Sequence, residues 1–174
     1  GDDLIAPEAQ AILDALRVLS EGGTALYVMH GNRDFLIGKR FAELSGATLL
    51  DDPYVLNLHG TPTLLMHGDQ LCTDDLPYHE MRKMLRNPQW IKEFLGKSTE
   101  ERIAFARSLR ERSKKETGEK DEAIMDVNAD TVKEYVERYG ISRIIHGHTH
   151  RPAIHHEEAL ERCVLGDWYK QGSV

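Results

Sequence analysis

Apolar positions change their spacing several times along this chain, and each change marks an element. Ile12, Leu13, Leu16 and Leu19 recur on one face of a helical period. Pro7 sits where a first helical residue belongs, and Gly22-Gly23 ends the run. Thr24–Met29 is then apolar over the length of a strand. A short helix over about Leu36–Leu44, stopped by Gly46, follows. Tyr54–Leu58 and Thr63–Met66 flank Gly60 and predict a β-hairpin. From roughly Thr73 to Asp126 the pattern is helical. Pro77 fits a helix start, Met81, Met84 and Leu85 share a face, Pro88 breaks the run, and Trp90, Ile91, Phe94 and Leu95 form an apolar group. A further helix, about Thr99–Lys115, puts Ile103, Ala106 and Leu109 on one side. Asn128 can N-cap a helix that runs to Tyr139 and ends at Gly140. Ser142–Ile145 reads as a strand, and residues 153–168 as a strand pair joined by an acidic turn. Helices between strand-like segments predict a layered α/β fold.

Composition narrows the class. A chain of 174 residues fits one domain and can bury a core. With 40% hydrophobic and 29% charged residues it reads as globular, not disordered. The net charge of −7 disfavours nonspecific binding to nucleic acid. Cys72 and Cys163 form no CxxC and imply no disulfide framework, which suits a reducing compartment. There is no internal repeat, no secretory signal pattern and no apolar run of bilayer length.

The candidate chemistry lies at strand ends. Ile144-Ile145 runs into His146-Gly147-His148-Thr149-His150-Arg151-Pro152, with three histidines spaced two apart on a tight loop. Neutral imidazole is the commonest protein ligand for a transition metal. The apolar run before residue 30 ends in His30-Gly31-Asn32-Arg33-Asp34, where Asn32 offers a hard oxygen ligand and Arg33 a forked donor suited to phosphate. A polar turn closed by a local Arg–Asp pair would explain the same residues. The second hairpin strand ends in His67-Gly68-Asp69. If these strands belong to one layer, Asn32, His67, His148 and His150 converge at one edge. Such a mix of nitrogen and oxygen donors suits Mn, Fe or Zn better than Ca.

Taken in order, GNRD, MHGD and HGHTHRP resemble the motifs of the calcineurin-like metallophosphatases. With GNRDFLIGKRF, MHGDQLCTDD and AIMDVN, the chain looks like the branch of UDP-2,3-diacylglucosamine pyrophosphatases of lipid A synthesis. The resemblance implies a sandwich of two β-sheets flanked by helices, with a helical cap inserted at about 73–126. It implies two divalent metal ions, Mn2+ foremost. Asn32, His67 and His148 match the ligands of one metal, and His150 matches a ligand of the other. His146 matches no ligand and reads as an oriented loop histidine. Asn32, Arg33, Asp75, Ser113, Lys120 and His148 match positions that contact the substrate head group. Thr117 falls where some relatives have Asn. In the usual family loop a His assists catalysis, and this chain has Arg33 in its place. Asn32, Arg33 and His148 are therefore the expected catalytic set.

The family's first-strand Asp-x-His and its bridging Asp have no counterpart here, so the chain is expected to lack two N-terminal strands and to hold one metal well. The implied reaction is hydrolysis of UDP-diacylglucosamine to UMP and a sugar 1-phosphate by a monomer at the cytoplasmic face of a Gram-negative inner membrane. Arg102, Arg107, Arg110, Arg112, Lys114 and Lys115 make the 99–115 helix basic, fit for an anionic lipid surface or simply a solvated face. Trp90, Phe94 and Leu95 are candidates for acyl-chain contact. Two other readings compete: a metallophosphatase for another phosphoester, and a single-metal fragment without activity.

Overall fold

The computed structural model describes residues 3–119, 124–157 and 159–167, with the side chains of 114–119 outside the description. The described chain is mixed α/β, with two sheets and six helices. It divides into two compact units, one of residues 1–69 and 133–174 and one of residues 70–132.

The first unit holds both sheets. Helix α1, Pro7–Glu21, begins with its proline in the first turn and buries Leu13. Strand β1, Tyr27–Met29, pairs in parallel with β2, Thr48–Leu50. Between them lies α2, Lys39–Ser45, ended by Gly46 in the left-handed conformation. This helix starts later than the apolar pattern predicts, because residues 32–36 form turns instead. The hairpin is β3, Tyr54–Leu58, and β4, Thr61–Met66, which pair antiparallel. Strand β5, Arg143–His146, lies parallel to β4, and β7, Leu160–Val164, lies parallel to β5. Strand β6, Ala153–Glu157, closes the order β3-β4-β5-β7-β6. The pair β6–β7 sits where the chain reads as two strands; Trp168, the end of that expectation, lies outside the described residues.

Alternation gives this sheet one buried face. Leu64, Ile144 and Arg162 are register partners, and so are Met66, His146 and Val164. All six are at most 8% exposed. Their sequence neighbours Leu65, Ile145 and Cys163 point to the other face and are half-buried.

The second unit is helical. Helix α3, Leu76–Leu85, is capped by Asp75, whose Oδ1 accepts from the Tyr78 N–H. Pro88 does more than break that run: it opens α4, Pro88–Leu95, capped by Asn87 accepting from Gln89 and Trp90 N–H groups. Ser98 and Glu101 form a reciprocal capping box ahead of α5, Thr99–Glu119. Asn128 accepts from the N–H groups of Asp130 and Thr131 and caps α6, Ala129–Tyr139, within which the unit boundary falls.

The inward face of α5 differs from the expectation. Ile103 is 44% exposed and Ala106 is exposed, whereas Arg102, Phe105 and Leu109 turn partly inward. The reason is an aromatic cluster. Trp90 stacks on Phe94 at 4.8 Å between ring centres, and Phe105 leans on both at 5.7 and 5.3 Å. Phe94 is 7% exposed, so it is core to this unit. Phe94→Ala should destabilise the helical unit by about 3–5 kcal/mol, whereas Ile103→Ser should change stability by no more than about 0.5 kcal/mol. Urea denaturation followed by tryptophan fluorescence checks both.

Candidate metallophosphatase site

Parallel pairing brings the candidate loops to one edge. Strands β4, β5 and β7 end in register at Met66, His146 and Val164, so the chain leaves all three from the same side. The loops stay joined past the sheet. Gly147 N–H donates to the His67 carbonyl at 3.0 Å, and Leu165 N–H donates to the His146 carbonyl at 2.7 Å.

The result is a pair of imidazoles. His67 Nε2 and His148 Nδ1 stand 3.2 Å apart, with the rings edge-on at 71°. The His67 N–H donates to Asp52, and a fully buried Asp69 follows two residues later. The turn after β1 leans on the same ring: a methyl group on Gly31 would stand 3.3 Å from His67 Cε1. Gly31 N–H donates to Asp34 Oδ1, which folds the Asn32-Arg33 segment into a tight turn. Asn32 and Arg33 themselves are exposed. His150 Nδ1 lies 3.9 Å from an Asp167 carboxylate oxygen.

Burial decides the charge state of His148. Its pKa falls to about 4, because burial strips water from the imidazolium and the neighbouring His67 opposes a second positive charge. Asp69 works the other way but does not win. A neutral imidazole keeps a lone pair for a metal ion or a proton donor. His148 and His150 both hold positive φ, 66° and 54°, a left-handed conformation uncommon outside Gly, which Asn, Asp and His enter more readily than other residues.

His146 is no loop residue: it ends β5 with 1% exposure. Its Nδ1–H donates to the Gly147 carbonyl at 3.0 Å, and Arg162 Nη1 donates to its Nε2 at 3.3 Å. Gly68 passes directly beside this ring. A Cβ there would lie 2.8 Å from His146 Nδ1 and 3.0 Å from the Gly147 carbonyl oxygen, at a φ of +110°.

The other expected substrate contacts fall in the helical unit or outside the description. Asp75 is buried and serves as the α3 cap. Ser113 is exposed on α5. Thr117 lies on the same helix with its side chain outside the description, and Lys120 lies outside the described residues. Among the described residues, no group of three or more His, Cys, Asp or Glu side chains could hold a metal. What fits a divalent ion is the imidazole pair: two ring nitrogens 3.2 Å apart match neighbouring ligands at the usual metal–nitrogen bond length of about 2.1 Å. The sequence reading passed over Asp52 and Arg162, and gave Asp69 no role beyond its place in the His67-Gly68-Asp69 motif. Arg162 left a signal, because alternation puts it on the same face as Leu160 and Val164.

A model of the family described as calcineurin-like phosphoesterase matches residues 3–152. The chain belongs to this family. Members carry out phosphoester chemistry with divalent metal, which the imidazole pair at the strand edge suits. Three relatives are named UDP-2,3-diacylglucosamine hydrolase. The relative from Pseudomonas fluorescens SBW25 is 49% identical over 99% of this chain and 71% of its own length. The one from Marinobacter nauticus is 49% identical over 97% and 70%. The one from Stenotrophomonas maltophilia is 45% identical over 100% and 75%.

Two outcomes are expected. Gly68→Ala should separate the His67 and His148 loops, since the backbone φ and a carbonyl both oppose the methyl group; the His67–His148 ring contacts in NMR spectra should disappear. In metal-free protein, an unfolded His148 takes up a proton below its usual pKa of 6.5, and the folded one only near 4. The unfolded state therefore binds more protons in that window, and stability should fall by up to about 3 kcal/mol as pH drops through it. Urea midpoints of wild type and His148→Gln, compared at both ends of the window, measure this.

Proposed function

We propose that this chain hydrolyses the pyrophosphate bond of UDP-2,3-diacylglucosamine, releasing UMP and 2,3-diacylglucosamine 1-phosphate, a step in lipid A synthesis. The observation that carries this reading is 45–49% identity, over at least 97% of the chain, to hydrolases named for that substrate.

Asn32, His67 and His148 would hold one divalent ion and His150 would contribute to a second; the nitrogen-and-oxygen donor mix suits Mn, Fe or Zn, and Mn2+ is the ion the family resemblance implies. When bound, the metal supplies a hydroxide near neutral pH and draws charge from the phosphoryl oxygens. The chain's own groups then divide the remaining work. His148, neutral through burial, offers its lone pair without first losing a proton. Arg33, exposed beside Asn32 on the turn held by Asp34, presents a guanidinium fork to the diphosphate. Water oxygen adds to the α-phosphorus, the bond from that phosphorus to the bridging oxygen breaks, and the sugar 1-phosphate leaves. Asp75, Ser113, Thr117 and Lys120 would contact the head group.

The membrane belongs to the same proposal. Arg107, Arg110 and Arg112 are exposed on α5, with Arg107 and Arg110 one turn apart, in a chain of net charge −7. These arginines would hold a monomer to anionic lipid at the cytoplasmic face of the inner membrane. Among the described residues no helix is long and apolar enough to cross a membrane.

Release of UMP from diacylated and deacylated substrate tests the reading. A strong preference for the diacylated form is expected, and equal rates would point to another phosphoester. Arg33→Ala should lower turnover about 100-fold, as loss of one charge-stabilising donor does, with metal content by mass spectrometry unchanged. Unaltered kinetics would remove Arg33 from the mechanism.

A further inference from the structure

Arg162 occupies an unusual place. It lies on the buried face of the five-stranded sheet, 8% exposed, among Leu64, Ile144 and Val164. A buried guanidinium is costly unless its donors are matched. Here a carboxylate of the described residues, Glu157, is half-exposed and stands 3.6 Å from Nη2. The close partner is neutral: Nη1 donates to His146 Nε2 at 3.3 Å. Packing alone would be served by an aliphatic residue at this position, so the cation has another use.

That use follows from what His146 touches. With Nε2 accepting from Arg162, the ring's proton is on Nδ1, from which it donates to the Gly147 carbonyl. The N–H of Gly147, in the peptide unit just before that carbonyl, donates to the His67 carbonyl. Gly68 packs beside the His146 ring, close to Nδ1. The loop carrying His67 and the loop carrying His148 are thus both seated on one imidazole, and Arg162 sets its tautomer. If the tautomer reversed, Nδ1 would present a lone pair to the Gly147 carbonyl and Nε2 a proton to Arg162, and both contacts would become repulsive.

We infer that Arg162 is a positioning residue for the His67–His148 pair, acting through the fixed tautomer of His146. The inference rests on the reading of that pair as metal ligands, and it adds a residue on a third strand to the set that determines metal affinity. Groups that orient metal ligands typically change metal affinity 10- to 100-fold when removed, roughly the size expected here.

Three measurements test it. Nitrogen-15 NMR of the metal-free protein should find His146 neutral with its proton on Nδ1; a proton on Nε2, or on both nitrogens, overturns the inference without any variant. Titration calorimetry with Mn2+ should find Arg162→Met weakened by about 10- to 100-fold, with Arg162→Lys recovering most of the loss because an ammonium still donates to Nε2. Equal affinity of Arg162→Met and wild type overturns it. Should Arg162→Met fail to fold, the tautomer in the wild type decides: a proton on Nδ1 supports the inference and one on Nε2 overturns it. Hydrogen exchange at the Gly147 amide separates this inference from the metal reading. If wild type binds no Mn2+, the metal reading fails, yet faster Gly147 exchange in Arg162→Met still supports positioning, and unchanged exchange rejects it.

Discussion

The parallel register of β4, β5 and β7 is the constraint on which the rest depends. Three strands stop at the same row, so three loops begin together. Had β5 run antiparallel to β4, the loop of His148 would leave from the opposite edge, and no local adjustment could bring its ring to His67. Two backbone hydrogen bonds beyond the sheet, from Gly147 and Leu165, carry that register into the loops and limit how far they can spread.

On this frame the side chains are tuned by what they lack as much as by what they touch. His148 is neutral because burial and a neighbouring imidazole make a second proton expensive. Gly68 contributes by having no side chain, since the His146 ring and the Gly147 carbonyl occupy the space a methyl group would need. On the buried face of the sheet His146 and Arg162 form a polar pair that is at most 8% exposed, next to the loops.

Much of this architecture is legible in the chain, for reasons that differ by element. The helix opening at Pro7, the hairpin around Gly60 and the helix capped by Asn128 each join a periodic apolar pattern to a residue that starts or stops it. Strand β2 has no such marker: it is three residues long, and only its pairing with β1 defines it. The face of α5 is ambiguous for another reason. Ile103, Ala106 and Leu109 are as regular as Arg102, Phe105 and Leu109, and the choice between them is made by Trp90 and Phe94 on a different helix. At the site, the strand-end position of His67 and His148 follows from the apolar runs before them, and so does their approach once the strands are parallel. The roles of Asp52, Asp69 and Arg162 arise across strands, where one-dimensional spacing carries little information.

The left-handed backbone at His148 and His150 has a consequence for engineering. A glycine at either position would relax the loop, and a search guided by folding stability alone would favour that exchange. It would also delete the imidazoles proposed as metal ligands. Thermostabilised versions of this protein should therefore be sought away from residues 148–150, because there robustness and chemistry are in direct competition.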